Sequence, residues 1–190
     1  MDLTMQKLSA DDRTRLRTDF VVPLILSQMC AGLEPLDDVA EYTIHDIIGD
    51  LKPDCGLLCL ALCASEIAAY YPHAPIAGTL ALESERIIAE FGSLWLHHST
   101  GLQAQNDIRT IRESLVHIPE DLEVLADLLD ATQATLDEAD ITGRTLCDMM
   151  ALQARAHAES AEDELHNINL MPLPRAATEQ AKIIPFPARH

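Results

Sequence analysis

The stretch PDCGLLCLALCASEIAAYY, residues 53 to 71, decides the fold class of this chain. From Cys55 to Tyr71 it is apolar on nearly every side, and Glu66 is the one charge inside that run, so it predicts a helix covered by neighbours all round. It falls short of the roughly 20 residues a bilayer-spanning helix needs, which favours a buried core helix over a membrane span. Pro53 suits the first helical position, where a missing N–H leaves no hydrogen bond unmade.

Working outward, YPHAP (residues 71–75) cannot continue a helix and reads as a tight connection. On the N-terminal side, Pro35 suits the start of an amphipathic helix. Its apolar positions Leu36, Val39, Ile44, Ile47 and Ile48 recur at helical spacing among Asp37, Asp38, Glu41 and Asp46. Further back, Ser9 followed by Asp12 resembles a capping box and predicts a first helix over about 10–31, bent by Pro23 and ended by Gly32. Beyond the connection, the apolar positions from Leu80 to Leu115 thread onto one face over 78–117, with a break favoured near Ser99 to Gly101. Pro119 restarts the chain, and Glu120, Asp121 and Glu123 complement the dipole of the new helix, whose apolar stripe is Leu122, Leu125, Leu129 and Leu136. Asp140 or Thr142 can cap a last helix running to about Asn167.

These elements predict an all-α single domain, a helical bundle of six to seven helices over residues 1–169. Residues 119–169 form a strongly acidic helix pair, and 170–190 form an irregular, proline-rich and basic tail. Composition agrees, because hydrophobic residues reach 48% while aromatics stay at 4%, which favours helix packing from Leu, Ile, Ala, Val and Met. No internal repeat and no nucleotide-binding glycine motif is present.

Charge is the strongest functional signal. Of the chain's net −18, residues 119–169 carry −11, with Arg144 and Arg155 as their only cations. Such a density repels nucleic acid and membrane surfaces and attracts basic ones. The expected partner is therefore a basic protein surface, in the extreme that of a DNA-binding protein. The candidate face is Glu120, Asp121, Glu123, Asp127, Asp130, Asp137 and Glu138. The competing reading is a solvated face that serves solubility alone. The basic tail could fold back on these helices or pair with those of a second subunit, which makes a homo-oligomer a further expectation. The opening MDLTMQKLSADDRTRLR lacks the apolar core of a signal peptide, and an odd count of five cysteines does not resemble a disulfide framework, so a cytoplasmic, reducing setting is expected.

Cys55, Cys59 and Cys63 recur every four residues and share a helix stripe with Glu66 and Tyr70. The outer two lie roughly 12 Å apart along the axis, too far to share one ion. Cys59 and Cys63 with Glu66 could give a partial site for zinc or another thiophilic metal, the alternative being cysteines that act as small buried hydrophobes. Glu66 itself must be paired, protonated or exposed, and exposure near the helix end is expected. His97, with Gly101 four residues on, resembles the phosphorylated histidine of phosphotransfer domains, which place a lysine before that glycine where Thr100 stands here. His45 and Asp46 match the dipeptide of HD-type phosphohydrolases, but the upstream histidine of that family has no counterpart before His45. With no GxSxG signature and no P-loop, no residue is assigned to catalysis and no cofactor is required. The expected function is a non-enzymatic interaction or regulatory protein presenting an acidic helical surface. The alternative is a metal-binding or redox-responsive protein using the cysteine stripe.

Overall fold

A computed structural model describes residues 8–20, 22–23, 25–26, 38–99 and 116–170. Among them lie six helices and no strand: α1 (Ala10–Asp19), α2 (Asp38–Gly49), α3 (Pro53–Tyr70), α4 (Ala77–Ser99), α5 (Ile118–Thr135) and α6 (Ile141–Leu170). The all-α class follows directly. The expected irregular tail from residue 171 on, the expected helix start at Pro35 and the expected break near Ser99 to Gly101 fall outside the described residues.

α3 is the hub. It packs against α2, α4, α5 and α6, and Leu57, Leu58, Cys59, Leu60, Ala61, Leu62, Cys63, Ala64 and Ile67 are all buried on it. By length and composition this helix could cross a membrane, but here its apolar surface is covered by its neighbours. Each of its fully buried leucines contributes roughly 1.5–3 kcal/mol. The most extensive helix pair is α5 with α6, two antiparallel helices joined by a short turn. The two helices bury Ala126, Ala151, Ala154, Ala158 and Ala161, and such small side chains let neighbouring backbones approach closely.

The termini follow local chemistry. Ser9 Oγ accepts from the Asp12 backbone N–H at 3.1 Å and Asp12 Oδ2 accepts from the Ser9 N–H at 3.3 Å, a complete capping box at α1. α1 ends at Asp19, where Phe20 is extended, and residues 22–23 and 25–26 are helical again, so the helix expected over about 10–31 is interrupted at Phe20 rather than bent at Pro23. The Phe20 ring lies 5.0 Å from that of Trp95, whose indole N–H donates to Asp19 at 3.1 Å. These contacts with α4 stand at the break, where the apolar period alone would have carried one continuous helix. Asp140 caps α6 by accepting from the Gly143 N–H at 2.9 Å.

Candidate functional site

The acidic pair shows which carboxylates face solvent. On α5, Glu120, Glu123 and Asp127 are exposed, and on α6 so are Asp148, Glu159, Glu162, Asp163 and Glu164. Arg155 of α6 reaches across to Asp130 at 2.7 Å and Asp127 at 3.2 Å. Arg144 spends its guanidinium on the carbonyls of Gln133 and Leu136 at the end of α5. Because the helices run antiparallel, moving along the pair from Arg155 toward the start of α5 sets Glu159 and Glu162 alongside Glu123 and Glu120. That end of the pair gathers four exposed glutamates, and both cations of the two helices are engaged elsewhere. Asp137 and Glu138 lie in the exposed turn, where Asp137 Oδ1 accepts from the Ala139 N–H at 2.9 Å.

Asp121 does not belong to this face. It is only 8% exposed and pairs with Arg86 of α4, which also holds Glu83 at 2.6 Å and Glu90 at 3.2 Å. Its place four residues before Leu125, on the buried flank of α5, overrides its charge. Burial pushes its carboxyl above the ordinary aspartate range, and Arg86 pulls the other way.

Glu66 corrects the expectation of an exposed helix end. Its side chain is 12% exposed and forms an ion pair with Arg17 of α1, a partner contributed by a helix distant in sequence. A second pair, Arg13 with Glu85, joins α1 to α4, and Ser65 donates to the same Glu85 at 3.5 Å.

Cys59 and Cys63 are buried in the core, one helical turn apart. Burial first, then the neighbouring Cys59 thiol and Glu66, hold the Cys63 thiol well above its usual range. Cys55, half-buried beside Asp54, is pushed up to about 12, again chiefly by burial. Glu66 is committed to Arg17. Among the described residues no three of His, Cys, Asp and Glu are grouped to hold a metal ion. Buried thiols are out of a reagent's reach, so Cys59, Cys63 and Cys147 are expected to resist a disulfide reagent at pH 8 until denaturant is added. Labelling followed by peptide mass spectrometry checks this, and native-state labelling of Cys63 at the rate of a free thiol would contradict it.

His97 lies within α4, but its side chain and the whole of Gly101 are outside the described residues. Two features escaped the sequence reading. One is a polar seam where α6 meets α2: the Gln153 amide meets His45 Nδ1, and His157, 4% exposed, donates from Nε2 to the Ile48 carbonyl at 2.8 Å. The small residues Ala154, Ala156 and Ala158 around His157 were the available signal, since they leave room for a ring to pack. The other is an open cleft of about 320 Å³ between the α3–α4 turn and the α5–α6 turn, lined by residues that include Tyr70, Tyr71, His73, Asp137 and Asp140. Comparison with family models, curated proteins and solved structures finds no match to this chain.

Proposed function

We propose that the protein is a non-enzymatic interaction or regulatory protein whose α5–α6 surface engages a basic protein partner. The observation that carries this reading is the exposed run Glu120, Glu123, Glu159 and Glu162, beside which the two helices offer no uncommitted cation. Like charges brought together on a packed helix pair repel one another, and a basic surface that docks there relieves the repulsion while gaining its own attraction. A DNA-binding protein is one partner with the required charge. The basic segment 170–190 of a second copy is another.

Replacement of all four glutamates by glutamine tests the proposal, because the exposed side chains keep their size and lose their charge. Capture from the native cell is expected to recover a basic protein at low salt, to lose it as ionic strength rises, and to fail with the four-glutamine variant. Recovery of the same proteins by wild type and variant, at every salt concentration, would refute it.

A further inference from the structure

We infer that the cleft between the α3–α4 and α5–α6 turns receives a guanidinium group, the arginine side chain of the basic partner. The partner's identity as a basic protein rests on the function proposed above, while the chemistry of the cleft stands on its own residues. Three observations converge there.

Tyr70 is 51% exposed, which is high for a large aromatic, and it is held edge-to-face against Tyr71 with ring centroids 4.8 Å apart. A half-exposed ring fixed in this way offers a cation the negative face of its π system. Asp137 and Asp140 line the same cleft from the α5–α6 turn. Each is tied down through Oδ1 to a backbone N–H of its own turn, Ala139 for Asp137 and Gly143 for Asp140. Their orientation is therefore set before anything binds, and little side-chain freedom remains to be lost.

The third observation is the direction of the helices. α3 ends at Tyr70 and α5 at Thr135, so two negative helix ends border the cleft, and neither carries a basic residue in its last turn. Arg144 answers the carbonyls of Gln133 and Leu136, but it does not line the cleft. This field favours a cation over an anion, and a purely apolar ligand would give the two carboxylates nothing in exchange for water. A planar guanidinium suits the site better than an ammonium, because it stacks on an aromatic ring while its edge donates to carboxylates in a fork.

The probe is N-acetyl-arginine amide, titrated into the full isotope-labelled chain and followed by NMR, with the citrulline analogue as a neutral isostere. Saturable shifts are expected at Tyr70, Tyr71 and residues 135–140, and citrulline is expected to bind about tenfold more weakly. Tyr70→Leu, at an exposed position, should weaken binding by roughly threefold. Asp137→Asn combined with Asp140→Asn should weaken it about tenfold while asparagine preserves both turn caps. Equal binding of the citrulline analogue, or shifts centred on Glu120 and Glu123, would overturn the inference. So would insensitivity to all three substitutions. The outcome is separable from that of the outer face. Arginine-amide binding retained in the four-glutamine variant supports the cleft whatever capture shows, and capture that persists in Tyr70→Leu after the probe has failed removes the cleft alone.

Discussion

Replacing Gly56 by valine is expected to destabilise the fold by roughly 3 kcal/mol. Gly56 lies on α3 directly beneath the ring of His157 on α6, and a Cβ placed there would come within 2.8 Å of three atoms of that ring. The ring cannot simply swing away. It is buried, and its Nε2 supplies the hydrogen bond to the Ile48 carbonyl that joins α6 to the end of α2. Valine therefore either spreads the α3–α6 crossing or strips that carbonyl of its partner, and each outcome carries a cost of about 1–3 kcal/mol. The helix-propensity gain on leaving glycine, below about 1 kcal/mol, is too small to offset it. Urea midpoints at unchanged m-value measure the loss, and a cycle with His157→Ala isolates the cause. With the ring removed, Gly56→Val should cost markedly less. An undiminished cost in the His157→Ala background would mean that the collision is not the reason.

Arg86→Met is the second large effect, expected at about 2–3 kcal/mol. Breaking a fully buried ion pair costs roughly 3–5 kcal/mol, and Arg86 is partly exposed, which reduces the figure. The guanidinium links three carboxylates, Glu83, Glu90 and Asp121, and methionine would leave all three facing one another. Asp121 suffers most, since its Oδ2 is buried with no hydrogen-bond partner among the described residues and its carboxyl already sits above the ordinary range because of burial.

The sign of the pH dependence follows. A carboxyl with a raised folded-state pKa contributes stability that is fully present below the unfolded value and is lost as pH rises through the folded one. Without Arg86 the opposing pull disappears and the folded pKa rises further, so the penalty of Arg86→Met should be smaller near pH 4 than at pH 7. Adding Asp121→Asn should recover part of the loss at pH 7. A penalty that is the same at both pH values, with no recovery from asparagine, would show that Asp121 is not the group responsible.

Much of the helix layout is legible from local chemistry. The Ser9–Asp12 capping box, Pro53 opening α3, the YPHAP connection and the Asp140 cap all act within a few residues of chain, and each stands where its own residues place it. The candidate sites were less legible. Asp121 reads as one acid among thirteen over 119–169, yet it is the member whose helix face turns inward toward Arg86. Glu66 looks isolated on an apolar helix until α1 brings Arg17 to it. The cleft joins two turns that are each unremarkable alone, because Tyr70 and Asp137 become neighbours only when α5 and α6 pack beside α3.

By itself, then, the sequence determined that this chain is all-helical, that residues 53–70 are its core, and that its charge is concentrated on its last two helices. Those properties depend on hydrophobic period, caps and composition, which act over a few residues or over the chain as a whole. Only the tertiary structure decided which acids are surface and which are structural, where the lone core glutamate finds its cation, and where an aromatic meets two fixed carboxylates. Burial and ion pairing depend on distances between helices, and those distances are set by packing around α3 rather than by the spacing of residues along any one helix.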